Sequence, residues 1–256
     1  MQALQNLTLL LPLAFLLGIC IGSFVTMASF RLPHGFDIVF KPSYCPSCNT
    51  SLTVPDLFPL LSWALQRGRC RHCQTAIPLR YPLIELALGL TFVWIAARYG
   101  ATLDALLLML LATWLAILIV TDLEHFIIPD SMQIAIGLTG IAWRCYHDND
   151  PLDMLYGAAG GLALGLSLRY GFLWLRKKDG LGWADVKFLG VAGLWLPLGS
   201  FVSFLFFAGV FGTVFGLLWR VIRKENGIFP FGPALAASLF ICVQWPELLQ
   251  NLLQQY

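Results

Sequence analysis

Charge is scarce in this chain. Lys, Arg, Asp and Glu make up 12% of its 256 residues, against about a quarter in ordinary soluble domains. That scarcity excludes a conventional water-facing surface. No charged residue interrupts the run from Ala105 to Thr121. No basic segment precedes the first apolar stretch, Leu7 to Phe30, and the stretch is too long for a typical signal-peptide core. It is therefore expected to be retained as a membrane span. No inverted repeat is evident, which weighs against a transporter built from two opposed halves. The formal net charge is only +2, and the basic residues are explained by topology, so no nucleic-acid partner is expected.

Apolar sequence is abundant, at 58% of residues. It gathers into runs near the ~20 residues a spanning helix needs. About eight candidate segments emerge: 7–30, 81–99, 103–121, 131–146, 152–175, 185–198, 200–220 and 232–249. The expected fold class is all-α, a polytopic membrane helical bundle. Segment 185–198 is short, as a broken or re-entrant helix would be. With the N-terminus outside, regions 31–80, 121–130, 175–187 and 220–230 lie inside, and nearly all Lys and Arg fall there, Lys178 and Lys224 included. Only Arg98 and Arg144 lie near the outer side, with Arg169 inside the fifth segment. The asymmetry obeys the positive-inside rule.

Two acids stand against long apolar runs, Asp122 after the third segment and Asp185 at the opening of the sixth. An ionisable group so placed is costly unless it has a partner or a function. The topology, chosen without them, brings both to the inner face. Two close carboxylates cannot easily both ionise, so one keeps its proton, and the pair suits general acid–base hydrolysis. Helix capping is the competing role for Asp185, and Asp130, after Pro129, reads as a cap in its own right. Lys187 reads as an inner-boundary anchor or a group near the acids. Glu85 suits pairing with a basic group such as Arg80, or contact with a basic substrate segment. The GxxxG spacings Gly18/Gly22, Gly161/Gly165 and Gly212/Gly216 predict close helix packing. Gly180 and Gly182 occupy a polar break where a free backbone could admit an extended substrate.

The main polar region, 31–80, holds Cys45-Pro-Ser-Cys48 and Cys70-Arg-His-Cys73, with 21 residues between the pairs. Two such turns supply four thiolates, the donor set of a closed structural zinc site. Disulfides compete, but an inward-facing loop is usually in a reducing compartment. His72 reads as a loop residue, and Cys20, Cys145 and Cys242 as small packing residues.

Gly22-Ser-Phe-Val-Thr-Met-Ala-Ser-Phe-Arg-Leu-Pro33, the cysteine pairs and Arg80-Tyr-Pro-Leu-Ile-Glu-Leu86 together resemble type IV prepilin peptidases. So do Asp122 through Ile128-Pro-Asp130, Gly180-Leu-Gly-Trp-Ala-Asp-Val-Lys187 and Pro230-Phe-Gly-Pro-Ala234, all in the family's order. The resemblance implies an intramembrane aspartic peptidase of the bacterial inner membrane that removes basic leaders from prepilins or pseudopilins at the cytoplasmic face. It also implies methylation of the new N-terminus with S-adenosylmethionine, as members with the tetracysteine loop commonly do. Asp122 and Asp185 match the catalytic aspartates. Gly180, Gly182, Ala184, Lys187, Glu85 and Asp130 are the substrate-contacting candidates. Ala184 stands at the second glycine of the family's Gly-x-Gly-Asp signature, and Thr26 where an asparagine is usual.

The expected organisation is a first span over 1–30, a cytoplasmic zinc loop linked to methylation over 31–80, and a peptidase core over 81–256. Two alternatives remain at this point: a membrane aspartyl peptidase without methyltransferase activity, and a proton-coupled transporter.

Overall fold

In a bilayer, backbone polar groups must be satisfied within the chain, and long apolar runs do this by closing helical hydrogen bonds. The computed structural model describes residues 2–38, 40–147, 151–177, 180–223 and 229–245. Among the described residues, each of the eight apolar runs falls largely on a helix. These helices are α1 (Gln2–Arg31), α3 (Arg80–Tyr99), α4 (Leu103–His125), α5 (Asp130–His147), α6 (Pro151–Arg176), α7 (Trp183–Trp195), α8 (Phe201–Arg223) and α9 (Gly232–Gln244). A short α2 (Leu61–Leu65) lies in the polar loop. Among the described residues the only β pairing is two isolated bridges, Tyr44 with Ser51 and Arg69 with Ala76.

Among the described residues, five helices are long and apolar enough to cross a membrane: Thr8–Arg31, Arg80–Tyr99, Leu103–His125, Pro151–Arg176 and Phe201–Ile222. The other three expected segments fall on α5, α7 and α9. Of these, α7 and α9 are 13 residues each. Residues 246–249 of the last expected segment, with Lys178 and Lys224, lie outside the described residues.

The chain divides into two compact units, Met1–Ile117 and Leu118–Tyr256. In the first, α1 packs along α3. A Cβ on Gly22 would stand 2.5 Å from Glu85 Cα, and one on Gly18 would stand 2.7 Å from Gly89 Cα, so only glycine permits this approach. In the second, α7 lies against α5 and α6 and also meets α9. A Cβ on Gly161 would stand 2.2 Å from the Leu189 carbonyl oxygen, and one on Gly157 would stand 2.3 Å from that of Gly193. Trp195, 2% exposed, donates its indole N–H to the Ile136 carbonyl at 2.9 Å, fixing α7 on α5. Large apolar side chains such as Leu9, Leu155, Trp174 and Val221 are exposed on the helices. In water such surface would be a liability, whereas lipid solvates it.

Candidate active site and metal centre

The cysteine loop is built from two turns of matching chemistry. Cys45 N–H donates to Thr50 O at 3.0 Å and Asn49 N–H to Cys45 O at 2.8 Å. In the second turn, Cys70 N–H donates to Thr75 O at 2.9 Å and Gln74 N–H to Cys70 O at 3.0 Å. Asn49 and Gln74 both take the left-handed conformation, with φ of 54° and 60°. Each turn therefore presents two sulfurs to one side. The four Sγ atoms lie within 4.8 Å of one another, with Cys45 and Cys73 at 3.8 Å. A tetrahedral zinc with ~2.3 Å Zn–S bonds requires sulfurs about 3.8 Å apart, so the donor set fits the metal.

Threonine hydroxyls support the thiolate form. Thr75 Oγ1 lies 3.3 Å from Cys73 Sγ, and that hydroxyl, with the Thr75 backbone, pushes the Cys73 thiol down to about 6. Thr50 acts on Cys48 in the same way at the same distance, holding it below the usual thiol range. Asp56 ties the turns together. It receives Thr53 Oγ1 at 2.7 Å and Gln66 Nε2 at 3.1 Å, and pairs with Arg71 at 3.3 Å.

In the second unit, the end of α4 and the beginnings of α7 and α9 carry the two acids. Asp122, 6% exposed, accepts the Gly232 N–H at 2.8 Å through Oδ2, so it caps the N-terminus of α9. Helix N-termini favour anions because their first N–H groups are unpaired. A Cβ on Gly232 would stand 2.6 Å from that oxygen, which explains a glycine there. Asp185, half-buried on the first turn of α7, accepts the Gly182 N–H at 3.3 Å. The two carboxyls are near enough for the charge of Asp122 to act on Asp185. Both acids therefore cap helices, and capping does not separate them.

The remaining sequence candidates divide by position. Lys187 Nζ meets both carboxylate oxygens of Asp130, at 2.8 and 3.0 Å, tying α7 to α5. Asp130 is the first residue of α5, and its carboxylate takes this pair in addition to its place at the helix start. Ala184 offers its carbonyl to Gln133 Nε2 at 3.3 Å. Gly182 precedes α7, and Gly180 lies beneath the Phe172 ring. Glu85 belongs to the other unit, on α3. Its Oε2 accepts the Leu60 N–H at 2.8 Å, so its partner is a loop backbone group.

Three residues of the acid site escaped sequence reasoning. Gln133 is 3% exposed and braces the residue before Asp185. Arg169 donates to the Leu181 carbonyl and stands 4.7 Å from the Trp183 ring centroid, pinning the turn that leads into α7. Its isolation as a lone cation inside an apolar segment was the available signal. Gly232 lay in a quoted motif, but its bond to Asp122 joins positions 110 residues apart.

Residues 16–99 match the family described as bacterial peptidase A24 N-terminal domain, and residues 109–217 match the type IV leader peptidase family. A prepilin leader peptidase/N-methyltransferase of Aeromonas salmonicida (strain A449) is 31% identical, with 92% of this chain and 90% of that protein covered. One of Stutzerimonas stutzeri, with the same name, is 30% identical over 92% of each chain. A type 4 prepilin-like proteins leader peptide-processing enzyme of Escherichia coli O78:H11 (strain H10407 / ETEC) is 31% identical, covering 86% of this chain and 88% of its own. No solved structure matches the chain.

Proposed function

The chain belongs to the type IV leader peptidase family, and from that premise we propose a bifunctional inner-membrane enzyme that cleaves prepilin or pseudopilin leaders and methylates the new N-terminus. Asp122 and Asp185 form the peptidase dyad. One carboxylate takes a proton from the attacking water while the other, protonated, polarises the scissile carbonyl. The observation that carries this reading is the meeting of two carboxyls at the starts of α7 and α9. One oxygen of each is held by a backbone N–H, from Gly182 and Gly232. Such anchoring keeps both acids oriented without a cation that would neutralise the pair. Gly180, Gly182, Ala184, Lys187 and Asp130 border the substrate path, with Lys187–Asp130 bracing the first turn of α7.

Methylation uses S-adenosylmethionine. When bound, that donor would supply an electrophilic methyl group to the new terminal amine, which would release a proton to water. Cys45, Cys48, Cys70 and Cys73 would hold a zinc whose role is structural, since four thiolates suffice to fill its coordination. The N-terminus lies outside and the active site faces the cytoplasm, in keeping with the positive-inside distribution.

The test is leader cleavage by purified Asp122→Asn and Asp185→Asn variants. Asn keeps the size and one acceptor oxygen but cannot ionise. Each variant is expected to lose cleavage by at least about a thousandfold, roughly 4 kcal/mol of barrier, and the double variant to lose no more than either single one. A folded Asp185→Asn enzyme with near-normal cleavage would reduce Asp185 to a helix cap.

A further inference from the structure

The first unit contains a cavity of about 500 Å³ between the inner turns of α1, the cysteine turns and the start of α3. That volume lies in the range of small-molecule sites. Three separate stretches of sequence converge on it: Ser23 and Thr26 from α1, Cys45 and Cys70 from the two turns, and Tyr81 and Glu85 from α3. Every lining residue belongs to this unit, so neither Asp122 nor Asp185 contributes to the cavity.

Its walls combine aromatic faces with two buried carboxylates, of which Asp56 is paired with Arg71 and Glu85 has no cation beside it. Trp63 is fixed by its indole N–H to the Ile77 carbonyl at 3.2 Å, and its ring packs where Gly68, at φ +68°, leaves no Cβ. Glu85 is 7% exposed. It is held by two neutral donors, the Leu60 N–H at 2.8 Å and the Ser23 hydroxyl. Leu60 sits at φ +60°, a conformation costly for a leucine, and that strained turn aims its N–H at the carboxylate.

The three arginines on the cavity wall are engaged by groups other than Glu85. Arg31 donates to the carbonyls of Asp37, Lys41 and Pro42, Arg71 pairs with Asp56, and Arg80 lies over the Tyr81 ring. A buried carboxyl group with only neutral donors, on a cavity wall that also carries Phe30, Tyr44, Trp63 and Tyr81, suits a compact organic cation, whose charge would favour the carboxylate form.

We propose that this cavity is the S-adenosylmethionine site and that Glu85 faces the sulfonium charge of the methyl donor. The inference rests on the methyltransferase reading and adds a means of product release. Transfer of the methyl group converts the sulfonium to a neutral thioether, so the spent product loses the attraction to Glu85 that held the donor.

The test is equilibrium binding of S-adenosylmethionine and S-adenosylhomocysteine to the full-length protein in detergent, with zinc content measured on each preparation. Glu85→Gln keeps an acceptor oxygen for the Leu60 N–H. It is expected to weaken donor binding at least tenfold while changing product binding less than threefold. Ser62→Trp, which fills the cavity from α2, is expected to abolish binding of both while retaining zinc. Equal effects of Glu85→Gln on the two ligands, or wild-type binding by a zinc-replete Ser62→Trp protein, would overturn the assignment and leave the methyltransferase reading standing. A wild-type protein that neither binds the donor nor methylates a cleaved pilin peptide would remove both.

Discussion

At the scale of single residues, the acid site depends on glycines as much as on aspartates. Asp122 is oriented by the N–H of Gly232, and any side chain there would stand 2.6 Å from the carboxylate oxygen it holds. Gly232→Ala should therefore turn Asp122 or displace α9, and either breaks the hydrogen bond. We expect leader cleavage to fall at least tenfold, about 1.4 kcal/mol of barrier. Gly209→Ala on α8 is the control, because a Cβ there meets nothing within 4 Å. Near-normal cleavage by Gly232→Ala would show that the bond does not hold Asp122 for reaction. Asp130 and Lys187 differ in kind. Their pair is exposed on both sides and joins two helices, and exposed ion pairs contribute about 1 kcal/mol or less.

At the scale of elements, the two cysteine turns act as one folding unit with their metal. Each turn alone offers two sulfurs, and the loop between them has little apolar core: Val54, Leu57, Phe58, Leu61 and Leu65 are all exposed. Zinc is therefore expected to hold the loop. Metal analysis should find about one equivalent in the native protein and a large loss in a Cys45→Ser/Cys70→Ser double variant. Full zinc retained by that variant would defeat the assignment. Methylation should suffer more than cleavage, because the acids belong to the other compact unit. The turns were legible in advance because two-ligand spacing is local and composition gives the compartment. The apolar runs were legible for a similar reason, since a helix long enough for a membrane announces itself residue after residue. Less legible were contacts between distant polar groups. The pairing of Lys187 with Asp130 joins residues 57 positions apart, and Leu60 reaches Glu85 across 25. No periodicity records such contacts, and nothing local to Asp130 announces a partner on α7.

At the scale of the whole molecule, topology decides whether both acids reach the inner face, and α5 is the helix on which it turns. Between Ser51 and Asn149 the chain passes through α3, α4 and α5. The first two satisfy the length and apolarity of a span. α5 has 18 residues, which at 1.5 Å each reach about 27 Å, slightly short of a ~30 Å hydrocarbon core. Its charges are nevertheless placed as a spanning helix requires. Asp130 pairs with Lys187 at one end, Arg144 pairs with Asp153 at the other, and Ile134, Leu138 and Ile141 between them are exposed. An apolar face between two charged ends matches a bilayer that thins slightly around a short helix. Gln133, which would be costly against lipid, is buried. We therefore expect α5 to cross, giving three crossings between the two positions. Of single-cysteine reporters introduced into an otherwise accessible-thiol-free protein, Ser51→Cys should be labelled from the cytoplasm only. Asn149→Cys, in a stretch outside the described residues, should be labelled from the opposite side only. Labelling of both from one side would mean that α5 does not cross, and it would remove the topological argument that Asp122 and Asp185 share the inner face.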